Sequence, residues 1–197
     1  MGLLNYLIEQ GRKPDGYIGT MMLKIMNNAH RNIFKLGMEK IRVNENCRLL
    51  DLGFGGGKAL KILSKKYENI ALFGIDFSGE AIKTGTGNNK KDIKTGKIKL
   101  WQADIEKMPF PENYFDIITA FQTHYHWQDM DKKVKEIYRV LNLNGQFIIA
   151  AEKYKINYHM EKYKTENDLK LLLESTGYAQ IEYGETKYNM YIRGIKL

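Results

Sequence analysis

Short apolar segments alternate with amphipathic segments between residues 48 and 177, and this alternation restricts the fold more than any other feature. The segments of strand length lie at 48–52, 70–75, 98–102, 115–121 and 146–151. The segments with helical periodicity lie at 58–67, 78–93, 130–141 and 166–175. Strands that alternate with helices predict a parallel sheet covered by helices on both faces.

Two further segments of strand length, 179–184 and 188–196, close the chain. Only Glu185, Thr186 and Lys187 join them, which is too short for a crossover helix but suits an antiparallel hairpin. We therefore predict an α/β fold with a Rossmann-like, doubly wound sheet of seven strands whose last strand is antiparallel. A chain of 197 residues has room for one such domain.

Composition excludes several other classes of protein. Hydrophobic residues make up 43% of the chain and charged residues 27%, which is typical of a globular protein. Cys47 is the only cysteine, so the chain has no cysteine framework for zinc or an iron–sulfur cluster, and we predict no metal site. The apolar runs are too short for a membrane span, and residues 1–6 lack the pattern of a signal peptide. The expected location is the cytoplasm.

The formal net charge of +8 is unevenly distributed along the chain. Residues 1–100 hold eighteen lysines and arginines against nine acidic residues, whereas residues 101–197 hold thirteen against fourteen. The densest basic cluster, at 90–99, falls at the entry to a predicted strand, at the edge of the sheet opposite to the one where ligands bind. A nucleic-acid partner is therefore not expected.

A glycine-rich segment follows the first strand of the alternation. Gly53, Gly55, Gly56 and Gly57 lie where that strand turns into a helix, and glycines at such a turn let the backbone approach a ligand closely. A dinucleotide fingerprint G-x-G-x-x-G would need a third glycine where the chain has Lys58. The loop by itself therefore predicts a nucleotide-like ligand without specifying which one.

Three acidic residues follow three successive predicted strands. Asp51 lies at the end of the first strand, Asp76 ends the second, and Asp104 follows the third. A carboxylate in the position of Asp76 accepts hydrogen bonds from ribose hydroxyls, which fits NAD as well as other nucleosides. Asp51 is suited to an ammonium group and Asp104 to the amino group of an adenine. With no basic residue in the loop for phosphates, this set favours S-adenosylmethionine.

These residues resemble the motifs of class I S-adenosylmethionine-dependent methyltransferases. The similar segments are Asp51-x-Gly53-x-Gly55-x-Gly57, Gly74-Ile75-Asp76-Phe77-Ser78, Ala103-Asp104, Met108-Pro109-Phe110, Tyr114-Phe115-Asp116-Ile117-Ile118 and the stretch 139–146. They occur in the family's order over about residues 48–197 and are most similar to the small-molecule branch that includes the ubiquinone and menaquinone methyltransferases. The turn Leu143-Asn144-Gly145 departs from the family's usual Pro-Gly.

The resemblance implies S-adenosylmethionine as the cofactor, a core at 47–197 and an N-terminal helical lid at 1–46. Residues 17–41 have apolar groups at helical spacing, in agreement with such a lid. At the methionyl end of the cofactor, Asp51 and the backbone of Gly53, Phe54 and Gly55 would hold the amine and carboxylate. Phe121 would contribute backbone at the same end.

At the adenosine end, the resemblance implies four more residues. Asp76 would bind the ribose, and Phe77 would lie against the adenine. Asp104 and Ile105 would meet the edge of the adenine ring. The cofactor would thus extend across the carboxyl ends of the first three strands.

The loop at 121–129 is the expected acceptor side, because it follows the fourth strand at the same edge. If the chain leaves Phe121 in an extended conformation, Gln122 and His124 share one face. We therefore predict His124 as the catalytic base for an acceptor that must lose a proton. His126 is a weaker candidate because the family often packs a ring there, and His30 lies on the predicted lid.

Aromatic residues after the fifth strand have two interpretations. Tyr154, Tyr158, His159 and Tyr163 either close the acceptor pocket or form a tyrosine-rich surface loop. The chain lacks the sequence signatures of DNA amino-methylation, cytosine C5-methylation and arginine methylation, so a small-molecule acceptor is expected. Two alternatives remain at this stage, an NAD-dependent oxidoreductase and a non-catalytic module that binds S-adenosylmethionine.

Overall fold

The computed structural model describes Gly16, Met21 and residues 31–197. The predicted lid at 1–46 is therefore described mainly from residue 31 onward, and His30 lies outside the described residues. No described helix has the length and apolar character that crossing a bilayer requires.

Within the described part of the chain, seven strands form one sheet in the order β3-β2-β1-β4-β5-β7-β6. The strands are β1 Arg48–Leu52, β2 Ala71–Asp76, β3 Ile98–Gln102, β4 Phe115–Phe121, β5 Leu141–Glu152, β6 Tyr178–Glu185 and β7 Asn189–Lys196. The pairs from β3 through β5 are parallel, whereas β7 is antiparallel to both of its neighbours, β5 and β6. The predicted α/β fold with an antiparallel last strand is confirmed.

Helices cover both faces of this sheet. The described helices are α1 Arg31–Glu39, α2 Lys58–Lys66, α3 Gly79–Asn88, α4 Lys90–Lys94, α5 Met130–Val140, α6 Lys153–His159 and α7 Glu166–Thr176. Neighbouring apolar residues of a strand point to opposite faces, so Leu49 packs with α1 and α2 while Leu50 packs with α5 and α7. This two-sided burial explains why the strand segments are almost continuously apolar.

The described part of the predicted lid, α1, lies on one face of the sheet. Phe34 packs on Phe121 with 6.0 Å between ring centroids. A Cβ at Gly37 would lie 2.2 Å from the Phe121 ring, so a glycine is needed for α1 to approach β4 this closely. A cover over the cofactor stays a prediction about the residues outside the described ranges.

Several segments differ from the sequence-based expectation. The helix predicted at 78–93 is two helices that meet at Asn89, although Ser78 does cap the first by accepting from the amide of Ala81. The fifth strand is longer than predicted, and α6 was not predicted at all. The loop after β4 forms a 3-10 helix at His124–His126 where an extended chain was expected.

Candidate active site at the carboxyl edge of the sheet

The glycine loop makes a tight turn from β1 into α2. Gly53, Gly55 and Gly57 all have positive φ, at 63°, 53° and 72°. A Cβ at Gly53 would lie 2.3 Å from the hydroxyl oxygen of Thr123, and one at Gly57 would lie 2.5 Å from Nδ2 of Asn89. The left-handed backbone and these close approaches both require glycine. The loop is thereby held against the start of the loop that follows β4.

Asp51 lies in β1 just before the glycine loop and is only 2% exposed. Its Oδ1 accepts a hydrogen bond of 2.8 Å from the Thr119 hydroxyl, and no described lysine or arginine forms an ion pair with it. Burial raises the pKa of Asp51 to about 7, and the charge of Asp76 adds to this rise. A buried carboxylate without a cation is suited to a cationic ligand group.

Asp76 ends β2, the strand next to β1, and is 8% exposed. Its two oxygens accept from the backbone amides of Ser78, at 2.9 Å, and Gly55, at 3.0 Å. Burial raises the pKa of Asp76, and these amide bonds oppose the rise. A carboxylate has about four acceptor positions, so each oxygen can still accept a ribose hydroxyl. Asp76 thus ties the glycine loop to the β2 end.

Two phenylalanines near these acids have opposite environments. Phe77 is 46% exposed, and the side-chain amide of Gln102 donates to its backbone oxygen at 3.1 Å. Phe54 is buried, and its ring lies against Gly74 of β2 and Gly85 of α3. The Phe77 ring beside Asp76 is accessible to a ligand, and its stacking on the adenine stays a prediction. Phe54 is limited to a backbone role because its ring belongs to the core.

Asp104 has the most exposed carboxylate of the three predicted acids, with 66% of the side chain accessible. Its Oδ1 accepts from the amide of Glu106 at 2.9 Å and from the ammonium of Lys133 at 3.4 Å. The bond from the Glu106 amide lowers the pKa of Asp104, and Lys133 lowers it further. Lys133 also binds Glu106 at 2.6 Å, and Ile105 between the two acids is half-buried.

The end of β4 is built from buried side chains. Phe121 is 5% exposed and its ring packs against α1, so the ring belongs to the core, and the backbone role predicted for this residue stays a prediction. Gln122 follows with φ 59°, a left-handed conformation that is uncommon for a residue with a side chain. Its amide donates to the Glu152 carboxylate at 2.6 Å and accepts from the Glu152 amide at 3.0 Å. The ends of β4 and β5 are thus joined by one side chain.

The prediction that His124 lies on the face of an extended strand is wrong. The left-handed Gln122 and the 3-10 helix at His124–His126 break the alternation of side chains that an extended exit from β4 would give. His124 is 0% exposed, and neither ring nitrogen has a hydrogen-bond partner among the described residues. Burial lowers its pKa to about 3. His124 is therefore a neutral ring inside the protein and not a base at the surface of a pocket.

An open groove of about 580 Å³ lies beside His124, beyond the ends of β4 and β5. Its walls include rings from the β4 loop, from the end of α6 and from the segment after it, namely Tyr125, His126, Trp127, His159 and Tyr163. The rings of His126 and His159 lie 4.9 Å apart, and Tyr125 stacks on His159 at 5.4 Å. His126, the weaker candidate for the catalytic base, thus lines the groove.

The residues predicted to close the acceptor pocket divide into two groups. His159 and Tyr163 line the groove, and the Tyr163 hydroxyl donates to Asp131 at 2.6 Å. Tyr154 and Tyr158 are not among the lining residues and are 63% and 68% exposed. Burial lowers the pKa of His159, and the charge of Lys155 adds to this effect, so the ring stays neutral near pH 7.

A family model described as a methyltransferase domain matches residues 50–149, which is just over half of the chain. The chain belongs to this methyltransferase family. Together with the order and direction of the strands, this membership makes the protein a class I S-adenosylmethionine-dependent methyltransferase, as the sequence predicted. Its methyl donor is S-adenosylmethionine, and the alternative of an NAD-dependent oxidoreductase is wrong.

Curated proteins and a solved structure are similar to this methyltransferase. The uncharacterized methyltransferase YdaC of Bacillus subtilis is 25% identical over 141 residues, which are 72% of this chain and 76% of that protein. The ubiquinone/menaquinone biosynthesis C-methyltransferase UbiE of Geotalea daltonii is 33% identical over 116 residues, 58% of this chain and only 49% of that protein. A structure of an S-adenosylmethionine-dependent methyltransferase from Aquifex aeolicus has a TM-score of 0.72 at 21% identity and covers 90% of this chain and 98% of that chain. At this identity the likeness supports the fold.

The residues present in the methyltransferase fit its cofactor. The buried Asp51 carboxylate has no cation beside it among the residues that the structure describes, the Asp76 oxygens have acceptor positions left, and the Phe77 ring is exposed beside them. All three lie at one edge, since β1 and β2 are parallel neighbours.

Sequence reasoning missed the links that organise the acceptor side. Glu152 binds Gln122 and also the Lys155 ammonium, at 3.1 Å, but these residues are thirty positions or more from Gln122. No local pattern connects such positions. One sequence signal for these links was available: polar residues occur at the ends of both β4 and β5, and the carboxyl ends of parallel strands lie at the same edge of a sheet.

Proposed function

We propose that this methyltransferase transfers the methyl group of S-adenosylmethionine to a small-molecule acceptor that binds in the groove beyond β4 and β5. The residues proposed to hold the cofactor are Asp51, Gly53, Phe54, Gly55, Asp76, Phe77, Asp104, Ile105 and Phe121. In this assignment Asp51 faces the methionyl amine, Asp76 accepts from the ribose, and Asp104 faces the adenine amino group. The exposed Phe77 ring lies against the adenine.

One observation carries the proposal: Asp51 and Asp76 are buried acids at the ends of adjacent strands, joined through the glycine loop. Keeping a carboxylate such as Asp51 in the interior without a cation costs free energy, as its raised pKa indicates. A ligand that brings an ammonium group to Asp51 and hydroxyls to Asp76 would recover part of that cost. The cofactor has both groups.

When bound, the cofactor would supply a methyl group attached to a positively charged sulfur. A nucleophile of the acceptor would attack the methyl carbon in line with the carbon–sulfur bond, and S-adenosylhomocysteine would leave. The chain's residues mainly align the acceptor and exclude water, and a base is needed only where the acceptor must lose a proton. We assign that role to His159, with His126 beside it, because both rings line the groove. A neutral His159 is able to accept a proton near pH 7. His124 is not included, because its ring is enclosed.

Small-molecule acceptors are favoured by the groove and by the relatives. A space of about 580 Å³ matches the size of small-ligand pockets. The UbiE relative is a C-methyltransferase of quinone biosynthesis, but the alignment spans about half of its length, so its acceptor is not transferred to this chain. The basic cluster at 90–99 lies around α4 and the entry to β3, away from the groove.

Calorimetry with S-adenosylhomocysteine tests the cofactor site. We expect Asp76→Ala to weaken binding about 10- to 100-fold, the effect of losing hydrogen bonds to a charged group. Glu68→Ala, an exposed acid that precedes the same strand, is the matched control and is expected to bind as the parent protein does. Unchanged affinity in Asp76→Ala would contradict the assignment, as would binding of NADH comparable to that of S-adenosylhomocysteine.

Methyl transfer itself is tested with methyl-labelled S-adenosylmethionine and pools of small metabolites. Label in a small product is the expected result, with turnover reduced about 100-fold or more in His159→Ala when the acceptor must lose a proton. Cofactor affinity is expected to stay unchanged in that variant. Tight cofactor binding without any labelled product would support a non-catalytic binding module instead.

A further inference from the structure

Three strongly exposed tyrosines, Tyr154, Tyr158 and Tyr188, lie at one corner of the molecule. They are 63%, 68% and 66% exposed. Tyr154 and Tyr158 belong to α6, which follows the carboxyl end of β5, and Tyr188 lies in the turn between β6 and β7. The amide of Lys153 donates to the backbone oxygen of Tyr188 at 2.8 Å, which holds the turn against the start of α6. We call these three residues the tyrosine rim.

The orientation of α6 is what exposes two of these rings. Ile156, in α6, and Met160, just beyond its end, are 1% and 8% exposed and anchor this segment to the core. Tyr154 and Tyr158 are also four positions apart and therefore lie together on another face of the helix. Aromatic rings that are about two-thirds exposed leave apolar surface in contact with water. Where several such rings are grouped, the exposed apolar patch indicates an interaction site.

Lysines are frequent in the segments that carry the tyrosine rim, and two of them lie over its rings, Lys155 at 5.8 Å from the Tyr154 centroid and Lys187 at 5.2 Å from that of Tyr188. The segments 152–164 and 185–188 contain five lysines, at 153, 155, 162, 164 and 187, against three glutamates. Two of the glutamates are already in ion pairs, Glu152 with Lys155 at 3.1 Å and Glu185 with Lys153 at 2.9 Å. Outside these ion pairs, the exposed charges of the two segments are Lys162, Lys164 and Lys187 against Glu161, so the rim has an excess of ammonium groups, whereas Asp129 and Asp131 lie in the adjoining groove.

A series of ring contacts leads from the tyrosine rim into the groove. The exposed Tyr158 ring meets His159 at 4.9 Å between centroids. His159 in turn contacts Tyr125 at 5.4 Å and His126 at 4.9 Å, and these three rings line the groove. Tyr158 thus connects the rim to the groove proposed for the acceptor.

We propose that the tyrosine rim and its lysines dock the protein on the surface of an anionic phospholipid bilayer. Tyrosine rings are favoured at the level of lipid headgroups, where one end is apolar and the other is hydrated. Lysines beside them are attracted to the negative surface potential of anionic lipids. Docking does not depend on methyl transfer. One consequence does rest on the proposed function: an amphiphilic acceptor held in the bilayer would reach the groove directly from the lipid.

Vesicle co-sedimentation tests the proposal with two kinds of vesicle. One consists of phosphatidylcholine alone, and the other contains about 30% phosphatidylglycerol, enough to give a negative surface. The protein is expected to bind the anionic vesicles, to bind the neutral ones weakly, and to dissociate as salt is raised because screening shortens the reach of the lysine charges. Absence of binding to the anionic vesicles, or equal binding to both kinds at every salt concentration, would overturn the proposal.

The triple variant Tyr154→Ser/Tyr158→Ser/Tyr188→Ser is expected to lower the partition coefficient by about tenfold or more, because it removes most of the aromatic surface of the rim. Leu143→Ser/Leu171→Ser is its matched control, since both leucines are large, 63% and 55% exposed, and lie in the first part of β5 and on α7. Equal losses in the two variants would overturn the proposal.

The lysine contribution is tested with Lys162→Gln/Lys187→Gln, for which we expect about a fivefold loss per lysine at low salt. The control is Lys65→Gln/Lys66→Gln at the end of α2, two lysines that are also exposed. Melting temperature and affinity for S-adenosylhomocysteine are measured for every variant, so that a failed cofactor assignment is distinguished from failed docking. Self-association that depends on the rim and excludes vesicles would show that a second copy covers it, and would overturn the proposal.

Discussion

The two halves of the carboxyl edge are built in different ways. At the ends of β1 and β2 the cofactor side consists of backbone turns and short acids, with Asp51, Gly53, Gly55 and Asp76 within one continuous set of contacts. At the ends of β4 and β5 the acceptor side consists of large side chains that meet from distant parts of the chain, such as Gln122 with Glu152.

This difference suggests that the cofactor side can be shared by many members of a family, whereas the acceptor side differs from one protein to the next. A left-handed glycine turn is specified by a few adjacent residues, so its backbone geometry can recur in proteins whose other loops differ. A groove lined by rings from two loops changes with every substitution in either loop. Residues that touch both sides are therefore the best places to test how far the two halves are independent.

Gly53→Ala is expected to have the largest effect, because Gly53 is where the two sides touch. An alanine there would combine a left-handed φ of 63° with a Cβ only 2.3 Å from the Thr123 hydroxyl. Strain and overpacking together are expected to lower the free energy of unfolding by about 2–4 kcal/mol. Chemical denaturation measures this change.

Gly87→Ala provides the control for Gly53→Ala. Gly87 lies in α3, has no positive φ, and a Cβ there would meet nothing within 4 Å. Replacing a helical glycine under these conditions is expected to stabilise the protein by about 0.4–1 kcal/mol. If both alanine variants had the same stability as the parent protein, the close contact between the glycine loop and the β4 loop would be contradicted.

Asp51→Asn tests the contribution of the carboxylate charge to cofactor binding, because asparagine keeps nearly the same shape without the charge. Since burial raises the pKa of Asp51 to about 7, the carboxylate must lose a proton before it can pair with an ammonium group. Affinity for S-adenosylhomocysteine is therefore expected to rise about tenfold from pH 6 to pH 8 in the parent protein. The variant is expected to bind about 10- to 100-fold more weakly at pH 8 and to lack this pH dependence.

The cofactor-free protein gives an independent measurement of the same group. The unfolded chain loses the Asp51 proton near pH 3.8, whereas the folded chain retains it to about pH 7. The folded state therefore holds one more proton between these values, and its stability falls as the pH rises through this window. Asp51→Asn is expected to flatten that slope. A steeper slope in the variant would contradict the raised pKa.

Several strands and one helix cap were predicted well from the sequence because their determinants are local. The strands Arg48–Leu52, Ile98–Gln102 and Phe115–Phe121 have the predicted bounds, because each is a short, mainly apolar segment set between segments of helical or turn character. Ser78 was identified as a cap from its position before a helical segment. These features need no knowledge of the residues that pack against them.

The acceptor side was predicted less well, and two residues show why. An extended exit from β4 was assumed for His124, but Gln122 adopts a left-handed conformation that its bonds to Glu152 hold in place. The helix α6 was missed because Ile156 is its only buried residue, so its apolar periodicity is too weak to recognise. In both cases tertiary contacts decide the local conformation.

His124→Leu is expected to have a moderate effect that depends on pH. Burial lowers the pKa of His124 to about 3, against 6.5 for an ordinary histidine. The stability that this neutral ring contributes is present above pH 6.5 and is lost as the pH falls, because the unfolded chain binds the proton first. The variant is expected to be about as stable as the parent at pH 7.5 and about 2 kcal/mol more stable relative to it at pH 5.

Turnover of the His124→Leu variant tests the same point from the side of function. Once an acceptor is in hand, the variant is expected to keep its rate, because an enclosed ring does not reach the groove. A loss of rate with cofactor affinity and stability unchanged would restore His124 as the base. Destabilisation at every pH would instead show that the ring nitrogens make contacts that leucine cannot replace.

Asp104 is expected to have the smallest effect, because its side chain is 66% exposed and its contact with Lys133 is long, at 3.4 Å. Asp104→Asn is expected to weaken binding of S-adenosylhomocysteine by about 0.5–1 kcal/mol and to change stability by less than about 1 kcal/mol, as for other exposed pairs. So small a change is difficult to assign from one ligand. The inosine analogue, in which an oxygen replaces the adenine amino group, provides the second ligand that the assignment needs.

A carboxylate accepts from the amino group of adenine but repels the oxygen of the inosine analogue, whereas an asparagine amide can bind either group. The parent protein is therefore expected to prefer S-adenosylhomocysteine, and Asp104→Asn to reduce that preference about three- to tenfold. Calorimetry of two proteins with two ligands gives this coupling directly, and general effects of the substitution cancel from it. An equal preference in both proteins would remove Asp104 from the adenine site and leave it as the cap of the 3-10 helix that begins at Ile105.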